Sequence, residues 1–266
     1  MRSLKDKVVW ITGASSGIGE ELAYGLAERG AVLILSARRK EELERVKQEC
    51  VRRYGAQVIV CPLDVSNRSE IDRVMRILYA RLEKIDVLIN NAGYGHTEEF
   101  IAYDFEKVED MFSVNVLGLM YMSQKVASKM SAEHSGHIIN IASIAGKIAT
   151  PKSAVYSSSK FAVIGFSDAL RLELRKHNVN VTTINPGPVD TAFFDTFDPE
   201  GSYLERVAPF VLTPEKVAEK TIAVIGTNKR EVNIPKLLEV SSKFYSLFPS
   251  LGDFLVEHVF EKSNIY

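Results

Sequence analysis

Three pairs in this sequence set a phenol and an ammonium four residues apart: Tyr103/Lys107, Tyr121/Lys125 and Tyr156/Lys160. On a helix that spacing brings both groups to one face, where the cation favours phenolate over phenol. Chance alone yields such pairs in a chain with 10 tyrosines, so a second feature must choose among them. Only Tyr156 has a serine thirteen residues upstream, Ser143, at the carboxyl end of an apolar run of strand length; the corresponding positions are Asn90 for Tyr103 and Val108 for Tyr121. Open α/β sheets bind ligands beyond the carboxyl ends of their strands. Ser143, Tyr156 and Lys160 are therefore the candidate catalytic set, and the other two pairs are read as surface features of one long helix.

The first apolar run passes directly into Gly13-Ala14-Ser15-Ser16-Gly17-Ile18-Gly19 and then into a helical pattern. In that strand–turn–helix context glycines permit a tight turn and close backbone approach, while the helix N-terminus offers free N–H groups and a positive dipole to a pyrophosphate. The spacing Gly13-x-x-x-Gly17-x-Gly19 is not a Walker loop, which disfavours hydrolysis of a nucleoside triphosphate. Roughly 20 residues after its glycines a dinucleotide-binding protein places an acid on the adenosine ribose; here that place reads Ser36-Ala37-Arg38-Arg39. No carboxylate is available for the ribose hydroxyls, and two guanidiniums can fork onto a 2′-phosphate, so NADP(H) is expected over NAD(H). The His134-x-x-His137 pair straddles Ser135-Gly136 at a turn and has no third ligand nearby; it is read as solvated loop, and no metal is expected.

The scaffold that must hold these groups is legible as alternation. Apolar strand-length runs near Val8–Thr12, Val32–Ala37, Val58–Pro62, Val87–Asn90, His137–Ser143, Val181–Asn185 and Val232–Ile234 are separated by amphipathic stretches of helix length. The helices are expected near Gly17–Arg29, Lys40–Tyr54, Ser66–Leu82, Tyr103–Met130, Tyr156–Lys176 and Pro214–Ile225, with Ser66 and Thr213 as N-caps. Such alternation predicts parallel βαβ units, and with no interior linker or repeat the 266 residues read as one domain. Lysine plus arginine (33) against aspartate plus glutamate (34) leaves a formal charge of −1, which removes any field for gathering nucleic acid or coating an anionic membrane. Cys50 and Cys61 have no zinc or redox-motif spacing. The start has no signal-peptide core and no 18 apolar residues stand together, so a cytoplasmic location is expected.

Taken together, these residues resemble the short-chain dehydrogenase/reductase family. The resemblance rests on Thr12-Gly13-x-x-x-Gly17-x-Gly19, Asp64-Val65, Asn90-Asn91-Ala92-Gly93, Asn115, Ser143, Tyr156-x-x-x-Lys160, and Pro186-Gly187 with Thr191, in family order from residue 12 to residue 191. It implies a single-domain Rossmann-like three-layer α/β sandwich with a seven-stranded, mostly parallel sheet, a nicotinamide cofactor, and reversible carbonyl reduction. It further implies Tyr156 as general acid/base, Lys160 on the nicotinamide ribose, Ser143 on the substrate oxygen and Asn115 holding a relay water. Asp64 with Val65 would meet adenine, Asn91 the adenosine ribose, and Pro186, Gly187, Val189 and Thr191 the carboxamide. The chemistry is consistent: hydride delivery to a carbonyl makes an alkoxide, which needs hydrogen-bond donors and a proton source.

For the substrate the signal is compositional. Phe193, Phe194 and Phe197, then Tyr203, Leu204 and Phe210, fall within the irregular stretch 186–212, which covers the substrate in this family; a bulky or apolar ketone or aldehyde is expected. From Pro235 onward apolar residues recur every three or four positions, from Leu237 and Leu238 through Phe244, Leu251 and Leu255 to Val259 and Phe260. They predict an amphipathic extension whose apolar face is covered by the domain body, another subunit of a homodimer or homotetramer, or a lipid surface. Two alternatives stay open: a 3-oxoacyl-carrier-protein reductase, and a nucleotide-sensing or scaffold protein on the same fold.

Overall fold

In the computed structural model, which describes residues 3–198 and 210–261 and side chains as far as 258, seven parallel strands form one sheet. Tyr203 and Leu204, and the side chains of Val259 and Phe260, lie outside the described residues. The strands are β1 (Val8–Thr12), β2 (Val32–Ser36), β3 (Val58–Val60), β4 (Val87–Asn90), β5 (Gly136–Ile141), β6 (Val179–Pro186) and β7 (Glu231–Ile234), in the order β3-β2-β1-β4-β5-β6-β7. In register Thr12 pairs with Ser36, Asn90 with Asn140 and Pro186 with Ile234, which aligns the carboxyl ends from which the functional loops leave.

Both faces of the sheet are covered, which is why its strands read as nearly continuous apolar runs. Val9, Ile11, Leu33 and Leu35 pack toward α1 (Gly17–Glu28), α2 (Lys40–Tyr54) and α8 (Pro214–Ile222), while Trp10, Ile34 and Leu88 pack toward α3 (Arg68–Tyr79), α5 (Leu119–Ala132) and α6 (Ala154–Leu174); a short helix, α7 (Phe194–Phe197), stands between α6 and α8 in the chain. The period of two decides which helix layer each side chain meets. Trp10 is fully buried, and its indole N–H donates to Ser36 Oγ at 2.9 Å, so its burial leaves no orphan donor.

Four local readings are corrected. The expected helix 103–130 is broken: a 3-10 turn ends at Ala102, α4 runs Phe105–Phe112, a π-helical segment occupies Ser113–Gly118, and only then does α5 begin. The cap of α3 is Asn67, whose Oδ1 accepts from the Ser69 and Glu70 N–H groups, rather than Ser66; Thr213 does cap α8, accepting from Lys216 N–H. His137 is not solvated loop. It is buried in β5, where Nδ1 accepts from Gly226 N–H at 3.0 Å and Nε2 meets Thr182 Oγ1 at 2.9 Å. Burial pushes its pKa down to about 4, so the neutral ring is the folded form. Tyr103 is not a surface residue either, since it packs partly buried beside Tyr94 and Phe112 against the cluster that holds Tyr156.

The extension forms two helices, α9 (Lys236–Leu247) and α10 (Pro249–Glu261). They close into a hairpin: a β-carbon on Gly252 would lie 2.4 Å from the Tyr245 ring, and Tyr245 donates its phenol proton to Asp253 at 2.7 Å. The hairpin is also tied to the sheet. A β-carbon on Gly187 would lie 2.8 Å from Leu238 Cδ1.

Candidate active site

The strand order reverses at β1, which has β2 on one side and β4 on the other, and the glycine loop leaves the sheet at that crevice. Gly13 and Gly17 have φ of +65° and +55°, conformations that L side chains resist. A β-carbon on Gly19 would stand 2.1 Å from the Gly13 carbonyl oxygen, so the first turn of α1 is pressed onto the loop. Ser16 caps α1 in extended conformation with no side-chain bond to the helix, which leaves the first-turn N–H groups directed at the crevice. A bound dinucleotide fits this cradle.

Ser15, Ser16, Ile18, Arg38, Arg39, Asp64 and Val65 line one cavity with the loop. Arg39, rather than Arg38, turns back onto the loop, its Nη2 reaching Ser15 Oγ at 3.3 Å and Ser16 Oγ at 3.4 Å. Neither guanidinium lies within ion-pair distance of a described carboxylate, although Asp64 lines the same cavity. Asp64 Oδ1 accepts from the N–H and hydroxyl of Ser66. Asn91 spends its amide on the loop itself, donating to the carbonyls of Thr12 and Gly13 at 3.1 Å; it braces the crevice instead of presenting its N–H groups outward. From the other side, Thr191 packs onto the loop, with Cγ2 3.0 Å from where a Gly17 β-carbon would lie, and Pro186, Gly187 and Val189 continue that wall.

Of the four residues expected to do chemistry, Ser143, Tyr156 and Lys160 line the same cavity, while Asn115 is buried and is not among its lining residues. Ser143 follows β5 and caps the 3-10 turn Ile144–Gly146; its Oγ accepts from Ala145 N–H at 3.1 Å, leaving only a 3.5 Å contact to the Pro186 carbonyl for its own proton. Tyr156 and Lys160 lie one turn apart on α6, both buried, with the ammonium 5.8 Å from the centre of the Tyr156 ring and donating to the Ile141 carbonyl at 3.2 Å. Burial lowers the Lys160 pKa to about 8. Asn115 comes from the π-helical segment: its amide donates to the Tyr94 carbonyl and accepts from the Tyr94 N–H, at 2.8 and 3.0 Å, and reaches Ser159 Oγ at 3.2 Å. A β-carbon on Gly93 would stand 3.0 Å from Asn115 Oδ1 and 3.6 Å from Lys160 Nζ, which shows how closely the three meet. Tyr94 and Ser159 were not singled out from the sequence, although Tyr94 directly follows the Asn90-Asn91-Ala92-Gly93 motif.

Phe193 and Phe194 lie over this centre, joined by Phe197. The Tyr156 ring is 5.6 Å from Phe193 and 5.2 Å from Phe197, and these two phenylalanines stack at 5.3 Å. Room for the cluster is made by Gly95, where a β-carbon would lie 2.7 Å from Phe197 and 2.9 Å from Tyr156. The competing pair Tyr121/Lys125 is occupied elsewhere, both side chains bonding the exposed carboxylate of Asp72 at 2.9 and 2.7 Å. Among the described residues no helix is long and apolar enough to cross a membrane.

Comparison with known proteins agrees with this geometry. Residues 7–200 match the short chain dehydrogenase family. An uncharacterised oxidoreductase of Staphylococcus aureus (strain N315) is 36% identical over 237 residues, covering 89% of this chain and 98% of that protein. Among solved structures, a short-chain dehydrogenase from Sphingobium yanoikuyae in complex with NADPH superposes with a TM-score of 0.81 at 25% identity, covering 98% of this chain and 96% of the other. A 3-ketoacyl-(acyl-carrier-protein) reductase from Brucella melitensis complexed with NADH gives 0.78 at 28% identity, covering 87% and 98%. The chain, with its seven-stranded Rossmann-like sheet, belongs to the short-chain dehydrogenase family of oxidoreductases.

Proposed function

We propose that this protein is an NADPH-dependent reductase of ketones or aldehydes, able to run in reverse as an alcohol dehydrogenase. The observation that carries the reading is the convergence of Ser143, Tyr156 and Lys160 on a cavity of about 1040 Å³ that also holds the glycine loop. A bound nicotinamide cofactor supplies the hydride. The glycine loop and the first turn of α1 hold its pyrophosphate, Arg38 and Arg39 its 2′-phosphate, Asp64 and Val65 its adenine, and Pro186, Gly187, Val189 and Thr191 its carboxamide. Relatives bind NADPH in one case and NADH in another, so the preference for NADPH rests on the two unpaired guanidiniums.

The substrate oxygen accepts from the Ser143 hydroxyl, whose lone pair is already engaged by Ala145 N–H. Tyr156 gives that oxygen its proton as charge develops on it. Lys160, positively charged beside the ring, lowers the phenol pKa and holds the nicotinamide ribose, while Asn115 holds the water through which the proton is replaced. Phe193 and Phe194 select a bulky or apolar carbonyl. The same reading takes the protein as cytoplasmic and as a homodimer or homotetramer; exposed Leu117, Phe161 and Leu172 around α5 and α6 support the association. The test is NADPH consumption, followed by absorbance, across a panel of ketones, aldehydes and quinones; cofactor binding without turnover on any of them would refute catalysis and leave a nucleotide-sensing role.

A further inference from the structure

The cavity does not end at Tyr156. Beyond the phenylalanines its wall is taken up by the α9–α10 hairpin, which contributes Leu238, Val240, Phe244, Leu255 and Val256. The hairpin is held in register with the cofactor loop by the Leu238–Gly187 contact, so these side chains keep a fixed relation to Pro186 and Gly187. Several of them nevertheless remain wet: Val240 is 65%, Phe244 37% and Leu255 47% exposed. Apolar groups that line a ligand cavity and stay in water are those an apolar ligand desolvates on binding. None of the hairpin residues on the wall is charged, and its two hydroxyls, on Ser241 and Tyr245, already donate to the Leu237 carbonyl and to Asp253, so the wall has no cation for a carboxylate or phosphate. Val240 and Phe244 stand one turn apart on α9, and Leu255 and Val256 of α10 join them on the same wall, so the apolar lining extends from the phenylalanines onto both helices of the hairpin.

We infer, building on the reductase reading above, that the substrate is an uncharged long-chain carbonyl compound whose hydrocarbon tail leaves Tyr156 and lies along the α9–α10 hairpin, with Val240, Phe244 and Leu255 setting the preferred chain length. The test uses the full chain with 2-butanone, 2-hexanone, 2-octanone, 2-decanone and 2-dodecanone. The expected result is a kcat/KM that rises about two- to fourfold per methylene entering the track. Val240→Asp and Phe244→Asp, both at solvent-accessible positions, should each cut the ratio of 2-dodecanone to 2-butanone efficiency by at least about tenfold, because a charge replaces part of the apolar wall. A flat series, or a ratio that neither variant moves, overturns the inference.

Binding measured without turnover separates this inference from the reaction itself. Nile red fluorescence on the protein, displaced more readily by 2-dodecanone than by 2-butanone and weakened in Phe244→Asp, supports the track even where NADPH is not consumed. Consumption of NADPH on all five ketones with no such displacement overturns the track and leaves the reductase reading standing. If a second copy of this chain covers the hairpin instead, Nile red fails to bind and sedimentation shows an oligomer that Val240→Asp dissociates, which also overturns it.

Discussion

Lys160 holds its ammonium 5.8 Å from the centre of the Tyr156 ring, one turn further along α6, while donating a hydrogen bond to the Ile141 carbonyl. The arrangement suits the phenol and penalises the fold, because a buried cation has given up its water for a single carbonyl. The fall of the Lys160 pKa from 10.5 to about 8 corresponds to about 3 kcal/mol. Between those values the unfolded chain binds more protons than the folded one, so this contribution to stability rises with pH from about 8 to 10.5 and is missing below it. Lys160→Met should therefore raise the stability of the cofactor-free protein near pH 7 by about 1–3 kcal/mol while abolishing turnover. Urea unfolding of both proteins at pH 7 checks it, and a destabilised variant would show that the ammonium supports the fold.

Tyr156→Phe removes the proton donor and keeps the ring that packs on Phe193 and Phe197. Turnover should fall by about 100- to 10,000-fold, as for loss of a general acid, with cofactor binding retained. Tyr121→Phe severs only a part-buried bond to Asp72, away from the cavity, and should change kcat by less than about twofold. Steady-state rates and cofactor titration compare the two; equal losses would dissolve the distinction between the pairs.

The fold was legible because a sheet buried on both faces leaves apolar runs that no other arrangement requires, as in Val8–Thr12 and Val87–Asn90. Ser143, Tyr156 and Lys160 were legible because their spacing is local to one strand end and one helix. What escaped depends on contacts distant in sequence. The π-helical break at Ser113–Gly118 arises where Asn115 bonds Tyr94 and where Gly118 is pressed onto the Val65 carbonyl, 2.4 Å from where its β-carbon would be; nothing within the helix sequence announces it. His137 read as a turn residue because its partners, Thr182 and Gly226, are far along the chain. The hairpin's apolar face was readable, but its position on the cavity was not, because that is fixed by the fit of Leu238 against Gly187.

Acid should weaken the fold through His137. Its neutral ring bonds Gly226 N–H, and burial lowers its pKa from 6.5 to about 4. Because the folded value lies below the unfolded one, the unfolded state takes up the proton first, so stability is intact above pH 6.5 and is lost progressively as pH falls toward 4, by about 3 kcal/mol in all. His137→Asn should be less stable at pH 7.5 yet show a shallower loss between pH 6.5 and 5. Urea midpoints at those three pH values decide; parallel curves for the two proteins would assign the acid sensitivity to other groups.

Cofactor preference is the sharpest expectation at the glycine loop. Arg39 reaches the Ser15 and Ser16 hydroxyls, Arg38 lines the same cavity, and Ala37 stands where an acid would receive a free ribose hydroxyl. A 2′-phosphate brings up to two negative charges to this point, and each charge-assisted contact contributes about 1.5–3 kcal/mol, or roughly 10- to 150-fold in affinity. NADPH should therefore exceed NADH by at least about tenfold in kcat/KM, and the gap should narrow at high salt because Arg38 and Arg39 are exposed. Arg39→Ala and Arg38→Ala should each raise the KM for NADPH by about tenfold or more and leave that for NADH nearly unchanged, with Arg39 the larger effect, since its guanidinium already sits against the loop. Ala37→Asp combined with Arg38→Ala should reverse the preference by repelling the phosphate and accepting from the ribose hydroxyls. Initial rates with both cofactors at matched ionic strength read all three results, and equal use of NADH and NADPH by the unmodified protein would show that the two guanidiniums are not a phosphate site.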